Sequence, residues 1–347
     1  MTDEPDDYDA ILLVSFGGPE APEDVVPFLE NVTRGRGIPR ERLEQVGEHY
    51  FLFGGKSPIN DQCRALIDAL KPALTEAGID LPIYWGNRNW HPMLNDTVQQ
   101  MADDGVKKAL AFVTSATSSY SGCRQYRENI IAACEAVEGA PEIHKIRQFY
   151  DHPGFIEPMV DNVRLWLDEL PDARLVFTAH SIPMSMADTS DYVAQLTEAS
   201  RLVAAGVGHD DFDLVWQSRS GPPHIPWLEP DINDHLEALA HNGTKSVIVI
   251  PIGFISDHME VMFDLDTEAI ATAGRLGMSF GRASTVGTDP RFIEGILELI
   301  EERRSGGPVR ALGTLEVRPD FCRVDCCPAP QRPASRPTIP DGTAPTT

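Results

Sequence analysis

The chain has 347 residues, of which 42% are hydrophobic and 24% are charged, a composition ordinary for one large or two smaller globular domains. Its formal net charge of -24 argues against nucleic-acid binding and against general attraction to anionic membranes, and favours a metal cation as partner. No apolar run approaches the roughly 18 residues of a transmembrane helix, and the acidic start MTDEPDDYDA is unlike a secretion signal. The sequence therefore predicts a cytoplasmic protein with no transmembrane segment.

Six short apolar runs are typical of buried strands, and amphipathic stretches of helical period lie between them. The predicted strands are residues 10–16, 81–85, 109–114, 175–178, 213–217 and 246–252. The clearest predicted helices are residues 61–77, 192–205 and 234–242. Strands that alternate with helices form right-handed βαβ units, so the fold class is α/β, with parallel sheets flanked by helices.

A break near DHPG, residues 151–154, divides the predicted strands into two sets of three. We therefore predict two doubly wound lobes with a cleft between them, over residues 1–150 and 151–315. Residues 316–347 form a further segment with three cysteines, followed by a tail whose Pro, Ala and Thr content predicts disorder. The acidic first eight residues are also predicted to be loose.

A histidine follows a predicted buried strand in LVFTAHSIP, residues 175–183. In open α/β sheets the carboxyl ends of the strands face the ligand crevice, so His180 is placed for acid–base chemistry. The alternative is an imidazole that only ends the strand and hydrogen-bonds a backbone group.

Four acids follow the last predicted strand, in ISDHMEVMFDLDTEAIATAG, residues 255–274. If a helix begins near Ser256, spacings of three, four and four place them on one helical face: Asp257, Glu260, Asp264 and Glu268. Oxygen ligands along a path suit a hydrated divalent metal that sheds water as it moves inward. The alternative is a solvated acidic face. His258 lies about 100° away around such a helix and can instead hold a neighbour by a hydrogen bond.

Five separated motifs, in the right order, resemble the ferrochelatase family over nearly the whole chain. They are GNRNWHP at 86–92, TSATSSYSGCRQYREN at 114–129, FTAHSIP at 177–183, WQSRSGPPHIPWLEPDI at 216–232 and PIGFISDHMEVMFDLDTEA at 251–269. The resemblance implies a chelatase-like fold of two Rossmann-like lobes with a porphyrin cleft between them. It also implies a lyase of heme biosynthesis that inserts Fe²⁺ into a tetrapyrrole without a nucleotide or redox cofactor.

The resemblance assigns the catalytic roles to the second lobe. His180 matches the family's active-site histidine, and Glu260 matches its catalytic glutamate. Asp257 and His258 have supporting roles, and Asp264 and Glu268 belong to an acidic route for iron. A histidine near neutral pKa is a suitable acceptor for the porphyrin N–H protons, with the glutamate stabilising the imidazolium, taking the second proton or relaying the metal.

Further residues are predicted to bind the porphyrin. By resemblance or by charge these are Phe16, Arg34, Arg36, Ser57, Arg88, Tyr120, Phe254 and His258. Phe16 falls where relatives carry a tyrosine or methionine beside the metal, and phenylalanine cannot ligate iron. The arginines of RGRGIPR, including Arg40, suit propionates, although a solvated basic turn is the alternative. Trp90 and Trp227 are candidates either for the macrocycle or for the core.

The substrate prediction rests on the loops around the cleft. Membrane-bound members of the family that act on protoporphyrin carry an apolar lip over the cleft, whereas no long apolar insertion follows Gly55 here and the corresponding loops hold arginines. The resemblance therefore favours coproporphyrin III and its product coproheme III. The alternatives are a ferrochelatase for protoporphyrin IX, a chelatase for cobalt or nickel, and a carrier of tetrapyrrole or metal without chemistry. The predicted partners are coproporphyrin III and ferrous iron, with transient contacts to neighbouring heme-pathway enzymes.

The segment FCRVDCCPAP, residues 321–330, provides Cys322, Cys326 and Cys327. Some ferrochelatases carry a [2Fe-2S] cluster on one internal and three carboxyl-terminal cysteines, and Cys123 matches the internal position best. Cys134 is the alternative fourth ligand. Structural zinc is the rival occupant, but adjacent cysteines are awkward around one small tetrahedral ion, which favours the cluster. Cys63, on a predicted helix, is expected to be buried and inert.

Overall fold

A computed structural model describes residues 7–317, 319–320 and 322–330 of the chain. The first six residues and the tail beyond residue 330, for both of which the sequence predicts disorder, lie outside these ranges. Within them, no helix combines the length and apolar character needed to cross a lipid bilayer.

In the described part of the chain, the strands form two four-stranded parallel sheets, ordered β2-β1-β3-β4 and β6-β5-β7-β8. The first sheet contains β1 (Ala10–Ser15), β2 (Ile83–Asn87), β3 (Lys108–Val113) and β4 (Glu142–Lys145). The second contains β5 (Arg174–His180), β6 (Phe212–Gln217), β7 (Ser246–Ile250) and β8 (Ser279–Arg282). The six predicted strands are confirmed. The prediction of three strands per sheet was wrong, because the edge strands EIHK and SFGR are too short and polar to stand out.

Helices cover the two sheets. In the first lobe they are α1 (Val25–Val32), α2 (Arg40–Phe51), α3 (Ile59–Glu76), α4 (Leu94–Asp103) and α5 (Gln125–Ala136). In the second they are α6 (Pro153–Glu169), α7 (Met184–Ala187), α8 (Tyr192–Gly206), α9 (Ile232–His241), α10 (Met259–Phe263), α11 (Ile270–Arg275) and α12 (Pro290–Ser305). A 3₁₀ turn occupies Pro22–Asp24, and π-helical turns occupy Tyr120–Arg124 and Asp264–Ala269.

The central strands are apolar because both faces of each sheet are covered. All six residues of β1 are buried, as are the five from Leu175 to Ala179 in β5. The covering helices present one apolar face, such as Leu66, Leu70 and Leu74 of α3. These patterns together confirm the predicted α/β class.

One hydrophobic core extends across both lobes. It includes Ile11 and Leu70 of the first lobe and Phe177 and Ile250 of the second. Helix α12 packs against both α6 and α3, so it joins the lobes. The predicted break is also well packed, since the side chain of His152 is buried and caps α6 by accepting from the backbone N–H of Gly154 at 3.1 Å. The lobes are therefore joined by packed structure, and the domain limits stay a prediction.

Both sheets reverse their strand order at equivalent positions, between β1 and β3 and between β5 and β7. Such switch points create a crevice at the carboxyl ends of the strands, where ligands of α/β proteins bind. His180 ends β5, and the segment that follows β7 leads directly to Glu260. The fold thus brings two candidates that are 80 residues apart in the chain to one edge of the second sheet.

Candidate active site

The imidazole of His180 is held in one orientation. It is the last residue of β5, and its Nδ1 lies 2.5 Å from the carbonyl oxygen of Ser181. Because a carbonyl only accepts, Nδ1 must donate, and Nε2 is the acceptor nitrogen in the neutral ring. The hydroxyl of Tyr192 on α8 donates to the carbonyl of His180 at 2.9 Å and fixes the strand end. Nε2 is therefore the atom available for proton transfer.

Glu260 lies beside that nitrogen, with 3.6 Å between His180 Nε2 and Glu260 Oε1. The two side chains retain 30% and 46% of their accessible surface, so the pair is open to a ligand. Burial favours the neutral imidazole, but the Glu260 carboxylate outweighs it and raises the pKa of His180 to about 9. Burial likewise opposes ionisation of Glu260, and the charge of His180 holds the pKa of that carboxyl below its usual range. The two groups titrate as a pair.

The helix that carries Glu260 begins at Met259, not near Ser256 as the sequence predicted. His258 is its N-cap residue, and Nδ1 of His258 accepts the backbone N–H of Glu260 at 3.2 Å. The ring of Phe254 packs edge-on against His258, with 4.9 Å between centroids. The sequence suggested that His258 holds a neighbouring residue by a hydrogen bond, and the structure shows such a bond. It fixes the backbone of Glu260.

The predicted acidic column is only partly correct. A π-helical turn begins at Asp264, where the carboxylate accepts from the Ser218 hydroxyl and, at 3.2 Å, from the Gln217 amide. Burial, reinforced by the nearby Glu260 charge, raises the pKa of Asp264 to about 7. Glu268, one turn further, is exposed, whereas Asp264 and Glu260 are both partly buried. Asp264 lies close enough to Glu260 and Glu268 for both charges to act on it.

Asp257 does not belong with these acids, because it precedes the helix. Both of its carboxylate oxygens accept from Nη1 of Arg282 at 3.0 Å, and Arg282 also pairs with Asp266 at 2.8 Å. The prediction that four acids share one helical face was therefore wrong for Asp257. The backbone carbonyl of Asp257 accepts from Nε2 of Gln62 on α3, at 2.6 Å, across the interface between the lobes.

The first lobe presents mostly aromatic residues at the equivalent edge. Phe16 follows β1, and the guanidinium of Arg88 lies 5.7 Å from its ring centroid and 4.4 Å from that of Tyr126. Nε of Arg88 donates to the Asn129 side chain at 2.7 Å, so this cation already has a partner. Trp90 packs edge-on against Phe28, which places it in a local aromatic core.

The other predicted porphyrin-binding residues differ in accessibility. Arg34 and Arg36 are exposed, and their side chains make no hydrogen bond to any described residue, whereas Arg40 pairs with Glu30 at 2.9 Å and with Glu44 at 3.1 Å. Ser57 is buried, and its hydroxyl accepts the N–H of Ile59 at 3.4 Å. The hydroxyl of Tyr120 donates to Glu128 at 3.1 Å. The indole of Trp227 packs over Gly221 and has its N–H buried.

Sequence reasoning missed several residues around the pair. Gln217 and Ser218 lie in the motif at residues 216–232, at the carboxyl end of β6. Polar residues at the end of a buried strand were the signal that identified His180, and the same signal would have identified these two. From the first lobe, Tyr50 of α2 lies close enough that its burial and the Glu260 charge raise the pKa of its hydroxyl. His49 stacks on Phe263 of α10, with 3.9 Å between ring centroids. No local sequence signal marks these contacts.

Three cysteines approach one another at a separate surface. Cys123, Cys322 and Cys326 line one pocket, and the sulfurs of Cys326 and Cys327 lie 3.6 Å apart. By contrast, the thiol of Cys134 lies 3.7 Å from the Pro141 carbonyl. Among the described residues, no group of three or more His, Cys, Asp and Glu has the arrangement of a metal site. Cys63 is buried, as predicted, and burial raises its pKa to about 11.

Comparison with known proteins identifies the family. The sequence profile of the ferrochelatase family matches residues 8–304. The coproporphyrin III ferrochelatases of Streptomyces coelicolor and Nocardia farcinica are each 55% identical to the chain, over 94% of it and over 96% and 98% of their own lengths. The solved structure of SirB from Bacillus subtilis with Fe³⁺ shares the fold at a TM-score of 0.54 and 12% identity, covering 86% of this chain and 96% of that one. The chain belongs to the ferrochelatase family.

Proposed function

We propose that this chain inserts Fe²⁺ into coproporphyrin III and releases coproheme III. The observation that carries the proposal is the His180–Glu260 pair, 3.6 Å apart and partly open, at the switch point of the second sheet. Relatives that are 55% identical over nearly their whole length are named for this reaction, which supports the same substrate here.

The reaction requires two N–H protons to leave the porphyrin as the metal enters. A free-base macrocycle is nearly flat, and bending it turns the nitrogens out of the plane at the expense of binding energy elsewhere on the ring. With Nδ1 donating to Ser181, Nε2 of His180 accepts the first proton. Asp264, with a pKa of about 7, can take up and release the second near neutral pH.

Iron and protons compete at this pair. Near neutral pH the Glu260 charge keeps the imidazole of His180 protonated, because it raises the pKa to about 9. An iron cation at Glu260 neutralises the carboxylate charge and repels the imidazolium charge. The pKa of His180 therefore falls, and Nε2 loses its proton to solvent and can accept one from the porphyrin. We infer that iron approaches along Glu268 and Asp264 before the porphyrin is deprotonated. Asp257 is left out of the route because Arg282 already pairs with its carboxylate.

The first lobe is proposed to hold the macrocycle. Phe16 supplies an apolar surface and no metal ligand. Arg34 and Arg36 are exposed, and since their side chains bond to nothing within the described part of the chain, we assign them to the propionates. Phe254 acts through His258, against which it packs. Ser57, Arg88 and Tyr120 already have hydrogen-bond partners, and their part in binding remains a prediction.

The test is an anaerobic metallation assay that follows the visible spectrum with coproporphyrin III and with protoporphyrin IX. We expect turnover with ferrous iron and a clear preference, in kcat/KM, for the tetracarboxylate. A preference for the dicarboxylate would reject the proposed substrate. Binding of porphyrin without any spectral change on addition of iron would instead indicate a carrier.

We also propose a [2Fe-2S] cluster held by Cys123, Cys322, Cys326 and Cys327. The fit is supported by a pocket of about 190 Å³ that Cys123, Cys322 and Cys326 line, and by the 3.6 Å between the sulfurs of Cys326 and Cys327. Arg124 and Arg127 of the α5 region donate to the carbonyls of Cys326 at 2.9 Å and Cys322 at 3.3 Å, which fixes the segment. When bound, the group would supply a one-electron redox centre or a structural link. A colourless protein with one zinc per chain would exclude it, and contacts with other heme-pathway enzymes remain a prediction.

A further inference from the structure

An amide from the first lobe reaches the backbone just before the catalytic helix. Gln62 lies near the start of α3, and its Nε2 donates to the carbonyl oxygen of Asp257 at 2.6 Å. Asp257 belongs to the second lobe and precedes Glu260 by three residues. The Gln62 side-chain oxygen is buried and has no hydrogen-bond partner among the described residues, so the amide's bond to Asp257 is the polar contact that orients it.

The start of α3 is fixed to the first-lobe edge. Asn60 is fully buried, and its Nδ2 donates to the carbonyl of His91 at 3.0 Å and to that of Gly18 at 3.4 Å. Its Oδ1 accepts from Asn87, the last residue of β2, at 3.1 Å. Gln62 therefore extends from the same rigid edge that carries Phe16.

The segment that receives this bond is equally well held on its other side. Arg282, which ends β8, binds the Asp257 carboxylate, and His258 binds the backbone N–H of Glu260. Any displacement of the Asp257 carbonyl is thus passed to Glu260 through two residues that cannot easily relax. The separation of the lobes at Gln62 sets the position of Glu260 relative to the first-lobe edge.

We propose that Gln62 is a positioning residue, which holds Glu260 at its working distance from His180 by tying the Asp257 backbone to the lobe that receives the macrocycle. The inference rests on the proposed function, in which Glu260 takes part in metal insertion. It assigns to Gln62 no contact with iron or porphyrin. Assembly of the catalytic pair then depends on the register between the two lobes.

The test compares two matched substitutions. Gln62→Met keeps the size of the side chain and removes the donor. Gln99→Met makes the same change in α4, where the amide donates to Asp103 on the exposed surface. For Gln62→Met we expect kcat to fall about fivefold, as for the loss of one hydrogen bond, with the porphyrin KM within about twofold of wild type. Gln99→Met should leave both unchanged.

The pH profile separates positioning from a purely structural role. The charged groups near His180 are Glu260, Asp264 and His258, and Glu260 raises its pKa the most. If Glu260 moves away, the pKa of His180 falls in the iron-free enzyme, so the acid limb of kcat/KM for iron should shift to lower pH in Gln62→Met. A lower melting temperature with an unshifted limb would overturn the inference. Gln62→Glu should lower kcat further at pH 8, where its carboxylate repels the Asp257 carbonyl.

The variant Glu260→Gln separates failure of the catalytic role of Glu260 from failure of the positioning role of Gln62. If Glu260→Gln turns over like the wild type, the proposed catalytic role fails, and the positioning role fails with it. If Glu260→Gln is inactive while Gln62→Met has the wild-type kcat and pH profile, only the role of Gln62 is rejected.

Discussion

The two lobes share one strand order but differ in the chemistry at the carboxyl ends of their strands. The second lobe gathers ionisable groups there: His180, Glu260 and Asp264. The first lobe presents Phe16 and the mutually bonded amides of Asn60 and Asn87. The same topology thus serves different tasks, because the fold supplies the position and the side chains supply the chemistry.

This difference in side-chain chemistry between the lobes agrees with what metal insertion requires. Proton transfer requires groups whose charge changes at accessible pH, and cation transit requires a group that stays charged. In the second lobe, burial and mutual charges raise the pKa of Asp264 to about 7 and that of His180 to about 9, while the pKa of Glu260 is held below its usual range. A flat apolar ring requires a surface without a competing base. If the lobes divide the work in this way, substitutions at the second-lobe pair should reduce metallation most, and substitutions at the first-lobe rim should reduce it least.

Substitution of His180 by alanine should remove the proton acceptor. We expect kcat to fall by about 10³-fold, within the range for loss of general-base catalysis, while coproporphyrin binding stays within a few fold. Fluorescence quenching measures binding, and the visible spectrum measures metallation. Turnover near the wild-type rate would reject the assignment of His180.

Glu260→Gln should keep the shape of the side chain and remove its charge. We expect a loss of about 10²-fold in kcat, because imidazolium and iron both lose their counter-charge. Since that charge raises the pKa of His180 in the iron-free enzyme, the residual kcat/KM for iron should have its acid limb at lower pH than in the wild type. An unshifted limb would show that the two side chains do not act as a pair.

Asp264→Asn should impair delivery of iron more than binding of porphyrin. Its pKa of about 7 means that the wild-type carboxyl is largely neutral at pH 6 and largely charged at pH 8. The KM for iron should therefore rise about tenfold at pH 8 and much less at pH 6. Asp234→Asn, at an exposed position of α9, is the control that should change neither value.

The smallest expected effect concerns the rim of the first lobe. The double variant Arg34→Ala, Arg36→Ala should raise the KM for coproporphyrin about fivefold and that for protoporphyrin less, with kcat preserved, because exposed ion pairs contribute little. Arg40→Ala is a matched control, since Arg40 is already paired with Glu30 and Glu44. An equal change in the KM for coproporphyrin in the double variant and in Arg40→Ala would argue against propionate binding by Arg34 and Arg36.

The sequence predicted those parts of the fold that follow from local patterns. The buried strands stand out by their apolar runs, and His180 was identified because it ends one of them. The edge strands β4 and β8 do not stand out as apolar runs, since half-exposed strands carry polar residues. The start of α10 was misplaced because an imidazole caps it, and His is a rare N-cap residue.

Contacts between distant segments could not be predicted in this way. The partner of Asp257 is Arg282 of an unpredicted strand, and the bond from Gln62 joins residues 195 positions apart. Neither amphipathic period nor motif spacing encodes such pairings. They decide which acids are free for iron and which are structural.

The most direct test is an NMR titration of the His180 imidazole in the substrate-free protein, assigned by comparison with His180→Ala. If His180 and Glu260 form one charge-coupled pair, the imidazole should titrate near pH 9 in the wild type and return to the ordinary histidine range in Glu260→Gln. An ordinary pKa in the wild type, or the same pKa in both proteins, would contradict the coupling on which the proposed mechanism depends.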